Sequence, residues 1–457
     1  MDDLVDYALQ HAMDLGARYA EVRQIENQGR EILLRNGNLD VTGFINSCGL
    51  SVRILKNGFG FASTDLAEKE EVKNCVEKAF KSAKGQKHTI EIDECKGEEY
   101  NEIIKGEDST DTIKILGDFD SKIRGYCPVR LFELMNYYED KYYVNSDGAK
   151  IHTMMPRTHL FSLITVGEQN LGFEQFTNDF GGVGNPKLLE NWNFENVIED
   201  QAKQVLKSLK EKNKPPKGRI DYILGPRVSG LAAHESCGHP YEADRIWGRE
   251  MAQAGGSFLK GDEIGERIGS DAASVIDDPT IKGSYGYYKY DDEGVKAKKR
   301  YLIKNGMINE FLQNRETAVI FKTRSNGSAR ASEYDKEPIV RMANTYIEPG
   351  DYTKEELIEE IKLGVLMESF MEWNIDDKRL NQKYTASEAY LIENGEVRKT
   401  LYRPKIEVTT QQFYSSIDAC SKDLEFTSAS CGKGEPMQPM PVFVGGPYVR
   451  VREVIHG

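Results

Sequence analysis

A chain of 457 residues exceeds the size at which a single core keeps growing, so two or three domains are expected, each able to bury a full core. The 74 acidic and 60 basic residues give a formal charge of −14, and no dense Lys/Arg cluster interleaves with aromatics, which argues against a nucleic-acid surface and against binding to anionic membrane. No run of about 18 apolar residues occurs, and the odd, scattered set Cys48, Cys75, Cys95, Cys127, Cys237, Cys420 and Cys431 predicts reduced thiols in a cytoplasmic protein.

The amino terminus, MDDLVDYALQHAMDLG, opens with acids and predicts an amphipathic helix with Leu4, Tyr7, Ala8 and Leu15 on one side. Short alternating runs follow, YAEVRQI, REILLRN and LSVRIL, the last joined to FGFAST through Lys56-Asn57-Gly58, so antiparallel sheet is expected. Residues 66–84 place Val72, Cys75, Val76, Ala79 and Phe80 at helical spacing. Strand-like runs recur near RLFELMNYYEDKYYVN and HLFSLITVG, and a further helix spans about 193–210. It runs into EKNKPPKG, where two prolines and a glycine stop helix and sheet alike. A domain boundary is therefore expected near residue 215. Beyond it, GRIDYIL reads as a strand and VSGLAAHESCG as a helix entered after Pro226; the remainder reads as short strands and turns, with hairpins at YLIKNGMINEFL and AYLIENGEVRKTL, each built on Asn-Gly.

The chemistry concentrates at 231-LAAHESCGHPYEADR-245, which holds two of the seven histidines, His234 and His239, with Glu235 directly after the first. Histidines four apart share one helical face, but five apart stand roughly 140° apart on an ideal α-helix. The extra residue therefore needs a local departure, which Gly238, Pro240 and a π-type bulge can supply. By composition, HExxxH arises by chance about 0.01 times in such a chain. The competing reading is a pair of partly buried helix histidines satisfied by hydrogen bonds, with Glu235 on a solvated face. A catalytic zinc needs a third protein ligand and an open position for water. Candidates are Cys237, Cys420, Cys431, Glu242 and Asp244. Cys237 would point away from converging histidines and reads as packing. Cys431 lies in TSASCGKGEPMQPMP, where Ser, Gly and Pro predict a flexible loop that either reaches a metal or leaves a free thiol.

The ordered set HESCGHPYEAD, DDEG at 291–294, MANTYIEPG at 342–350, ASEAYLIENGEV at 386–397 and ASCGKG at 429–434, with GLSVRILKNGFGFASTD at 49–65, resembles the TldD/PmbA family of metallopeptidases, specifically the TldD branch that retains its metal site. The resemblance implies that His234 and His239 bind zinc, that Glu235 is the catalytic glutamate, and that Cys431 completes the metal site. Asp291, Asp292 and Glu293 could line the cleft, but read more simply as a solvated turn. Tyr346 could contact substrate, but reads more simply as strand packing.

The expected fold is α+β: an amino-terminal domain of mixed helices and antiparallel strands over 1–215, then a β-rich catalytic domain over 216–457. The expected function is a zinc metallopeptidase that hydrolyses peptides or unfolded polypeptide segments, with a zinc-activated water and Glu235 as general base. It would work as a homodimer or as a heterodimer with a PmbA/TldE-type homologue. The rivals are a non-catalytic peptide-binding subunit with a structural metal, which would usually be closed by four protein ligands and need no base, and a hydrolase of non-peptide amides.

Overall fold

The computed structural model describes residues 2–66, 68–106, 110–250 and 254–456. It is an α+β protein built on three large sheets. The first, from the amino-terminal part, has seven strands, with Phe59–Thr64, Asn38–Leu55, Tyr19–Arg35, Val129–Asn145 and Lys150–Glu168 in antiparallel succession. What reads in sequence as two runs, YAEVRQI and REILLRN, is one 17-residue strand. Its polar middle is sustained because neighbouring strands pair along the whole length.

Strand alternation divides this sheet chemically. Val22, Val52 and Val144 are in register and face two helices, Asp2–Asp14 and Lys69–Gly85. Further along the same face, Ile32, Leu34, Phe132 and Leu134 pack against Phe119 and Ile198 of the helices Thr112–Ile123 and Phe194–Glu211. The opposite face carries Glu21, Arg23, Asn27 and Arg53, and meets the carboxy-terminal part through polar contacts: Arg23 donates to the Lys336 carbonyl at 2.5 Å, and Arg53 pairs with Glu293 at 2.7 Å.

The second sheet orders Met307–Ile308, Arg300–Lys304, Val275–Asp277, Asn344–Ile347, Gln438–Gly446 and Glu425–Lys433. The third contains Glu396–Thr400, Asn381–Glu393, Leu363–Ile375, Gly218–Leu224, Val449–His456 and Ile417–Cys420, with Lys405–Thr409 also paired to Asn381–Glu393. Both expected hairpins form; Asn305-Gly306 and Asn394-Gly395 all take positive φ, the geometry that suits a tight turn between twisted strands. The strands Leu363–Ile375 and Asn381–Glu393 have 13 residues each, longer than the short strands the turn-rich sequence suggests. Among the described residues no helix is long and apolar enough to cross a membrane.

The helix Pro226–Ala233 lies between the second and third sheets, touching Gln438–Gly446 and Asn344–Ile347 of one and Leu363–Ile375 of the other. It is buried at every position but Arg227 and joins their side chains into one apolar cluster. Approach to the sheet is possible because position 230 has no side chain: a Cβ there would stand 2.6 Å from the Gly445 nitrogen. This sets two effects against each other. Helix propensity favours Gly230→Ala by about 1 kcal/mol, whereas the backbone clash should cost about 1–3 kcal/mol. Chemical denaturation should show net destabilisation; a stabilised variant would mean that the helix is not clamped as described.

Candidate functional site

Pro226 starts the helix at a position where its missing N–H leaves nothing unsatisfied. The α-helix ends at Ala233, and His234–Gly238 form a π-helical turn in which the His239 N–H bonds the His234 carbonyl five residues back. That turn absorbs the extra residue of HExxxH. The two imidazoles consequently converge, with ring centroids 4.8 Å apart and planes at 80°. Gly238 packs closely against Met342: a Cβ would lie 1.9 Å from its Sδ, so any larger residue would force that side chain to move. Pro240 sits in the 3-10 turn that follows, His239–Tyr241.

Cys431 reaches the histidines from the edge of the second sheet. The flexible loop expected around it is not found: residues 425–433 form a strand paired with Gln438–Gly446, in which Cys431 lies opposite Met440. Glycine and proline at 434–436 confine the irregular backbone to the connecting turn instead. Cys431 is buried, with Sγ 3.4 Å from His239 Nε2, and the donor atoms of His234, His239 and Cys431 all lie within 4.8 Å of one another. Zinc bonded tetrahedrally to nitrogen and thiolate sulfur would hold those atoms about 3.6 Å apart. Two further observations fit a metal. His239 Nδ1 lies 3.1 Å from Glu242 Oε2, and because a carboxylate only accepts, Nδ1 carries the proton and leaves the Nε2 lone pair facing Cys431. His234 Nδ1 is buried without a hydrogen-bond partner among the described residues.

Electrostatics favour the Cys431 thiolate, and in the absence of a metal they favour a proton on His234 as its partner. Burial opposes a Cys431 thiolate, but the His239 and His234 imidazoles and Arg341 outweigh it and hold the thiol well below its usual range. Burial likewise opposes charge on His234, and the Cys431 thiolate raises its pKa nonetheless. Glu235 is buried beside them, ion-paired to Arg379; against the cost of burial, His239, Arg379 and His234 hold its carboxyl below the ordinary value. Lys433, two residues beyond Cys431 on the same strand face, donates to Asp244 at 2.6 Å and lies 3.3 Å from Glu242, while Arg245 Nε donates to Glu242 at 2.5 Å.

Of the other sequence candidates, Cys237 belongs to the apolar core, where burial raises its thiol, and Cys420 lies against the Ala272 carbonyl. Glu242 and Asp244 support the cluster through ion pairs. The acidic turn is not solvated: Asp291, Asp292 and Glu293 are all buried against the polar face of the first sheet. Asp292 pairs with Lys141 at 2.8 Å, Glu293 with Arg53, and Asp291 accepts the backbone N–H groups of Glu293, Val295 and Ala329. Tyr346 stands apart from the donor cluster, its ring against Phe426 with centroids 5.4 Å apart. Sequence reasoning missed Arg379, Arg245 and Lys433. Lys433 was within reach, because alternation in a strand would turn it the same way as Cys431. Arg379, in a charged turn, carries no such signal.

The profile of the PmbA/TldA metallopeptidase C-terminal domain matches residues 217–456, and that of the same family's domain 1 matches residues 20–83. The chain belongs to this family. A metalloprotease of Methanocaldococcus jannaschii is 33% identical over 94% of this chain and 95% of its own. A zinc metalloprotease TldD homolog of Saccharolobus solfataricus is 26% identical over 98% of each. Among solved structures, TldE from Thermococcus kodakarensis superposes with a TM-score of 0.74 at 19% identity, covering 100% of this chain and 99% of that one, which shows a shared fold.

In this PmbA/TldA metallopeptidase, His239 depends on Glu242 for its orientation. Glu242→Gln should weaken metal binding by about 10- to 100-fold in competition titration with a chelator. It should also alter acid stability. Burial disfavours the Glu242 carboxylate, yet Lys433, Arg245 and His239 hold its pKa well below the usual value. Its contribution to stability is therefore present above the unfolded value of about 4.3 and is lost as pH falls through the folded one. The Gln variant should lack that acid limb; unchanged metal affinity and acid unfolding would remove Glu242 from this role.

Proposed function

We propose that the protein is a zinc-dependent peptidase acting on peptides or unfolded polypeptide segments. The observation that carries this reading is the buried meeting of two imidazoles and a thiol whose donor atoms lie within 4.8 Å of one another, with the Glu235 carboxylate beside them. His234, His239 and Cys431 would hold the ion, three protein ligands being the number typical of a catalytic rather than a closed structural zinc. Zinc bound there would supply a Lewis acid for the scissile carbonyl and make water acidic near neutral pH.

Glu235 is the general base: it takes a proton from the attacking water and returns it to the leaving amine. Arg379 keeps it ionised, at the cost of some basicity. Glu242 fixes the tautomer and direction of His239. The division of labour follows the two parts of the chain, 1–215 supplying the first sheet and its helices and 216–457 the catalytic residues. The likeness to TldE supports an assembly with a homologue of that type, and self-association is the alternative.

The test is the pH profile of kcat/KM on flexible peptides. Glu235→Gln should retain metal and lose about 10²- to 10⁴-fold in rate, the usual contribution of proton transfer. Arg379→Gln removes a cation that stabilises the carboxylate, so the acid limb set by Glu235 should move to higher pH. Near-parental hydrolysis by Glu235→Gln would rule out its role as base. A parent inactive on every peptide, with stoichiometric metal, would favour the binding-subunit reading.

A further inference from the structure

On the other side of the Cys431 strand lies a cavity of about 420 Å³, within the usual size of small-ligand pockets, between the polar face of the first sheet and the second sheet. Ser430 lines it while its neighbour Cys431 turns toward the histidines, as alternation along a strand requires. The lining is charged, but its ions are largely spoken for. Lys141 pairs with Asp292, Arg157 with Glu139 at 3.3 Å, and Glu333 accepts from Asn27 and Ser47.

Arg330 is the exception. It is only 4% exposed, yet has no carboxylate partner among the described residues. Its Nη1 donates to the Met342 and Pro441 carbonyls at 2.8 and 3.0 Å, and its guanidinium lies 5.1 Å from the Tyr288 ring centroid. Its other two nitrogens make no protein hydrogen bond among the described residues. Burial, with Arg341 and Arg157 close by, lowers its pKa to about 10. Asp292 pulls the other way only from beyond ion-pair distance, so the buried cation lacks a carboxylate in hydrogen-bond reach, which is costly, and a planar guanidinium with free N–H groups suits one.

We infer that this cavity binds a carboxylate, through Arg330, at a position separate from the metal donors. The group is either the α-carboxylate of a peptide or an acidic side chain within one. The inference rests on the peptidase reading only for the molecule that carries the carboxylate, so it is tested by binding rather than turnover.

The probes are a fluorescein-labelled penta-alanine with a free carboxyl terminus, its carboxamide, and the carboxamide with one internal Glu, each titrated against the full-length Glu235→Gln protein by fluorescence anisotropy. At least one carboxylate peptide should bind tighter than the plain amide by about tenfold, the usual worth of a hydrogen bond to a charged group. Tightening by the free terminus alone identifies the α-carboxylate; tightening by the internal Glu identifies the side chain. Adding Arg330→Gln should abolish the difference, and Arg330→Lys, which keeps the charge but not the fork, should retain part of it. Equal affinity for all three peptides, or discrimination that survives in a folded Arg330→Gln variant, would overturn the assignment. A parent protein, with Glu235 intact and metal bound, that hydrolyses none of these peptides while carboxylate discrimination persists would count against the peptidase reading alone.

Discussion

One backbone hydrogen bond sets the geometry of the candidate site: the His239 N–H reaches back five residues to the His234 carbonyl instead of four. A regular helix would carry the two histidines to different faces, and the thiol could meet only one of them. The π turn brings both imidazoles to one side, but such a turn is a weak element by itself. It is held by what surrounds it. The preceding helix is clamped between two sheets, Met342 fills the space left by Gly238, and Ser236 Oγ ties the turn to the Ala232 carbonyl at 2.6 Å and to the Tyr414 hydroxyl at 2.9 Å.

Around that turn the chain buries an unusual density of charge. Glu235 with Arg379, Glu242 with Arg245 and Lys433, and Asp244 with Lys433 are all in or near the interior. Buried ion pairs contribute little to stability and are costly to break. Their value here is positional: each fixes a group that touches the His234, His239 and Cys431 cluster or lies next to it. The same pattern continues at the contact with the first sheet, where Arg53, Glu21 and Glu293 form a buried network. The acidic turn 291–293 thereby couples the amino-terminal sheet to the region that carries Cys431.

What the sequence made legible follows from the range of the interactions involved. The Asn-Gly hairpins are local and read directly, and the HExxxH spacing, with a glycine and a proline to hand, pointed to a π-type departure. Cys431 was singled out as a residue but given the wrong surroundings, because a run of Ser, Gly and Pro hides a strand whose partner lies beyond the turn. Asp291, Asp292 and Glu293 look solvated until Lys141 and Arg53, distant in sequence, are placed over them. Arg379 could not have been found, since its only mark is a contact with Glu235 across 144 positions. The long first strand was split because its polar middle is stabilised by neighbours rather than by its own pattern.

In the proposed site, His234, His239 and Cys431 together hold one zinc ion with a position left open. X-ray absorption at the zinc edge of the reconstituted full-length protein tests it most directly. The expected shell has one sulfur at about 2.3 Å and two imidazole nitrogens at about 2.0–2.1 Å, completed by a light, non-protein oxygen. A shell without sulfur, or one closed by four protein ligands, would contradict it.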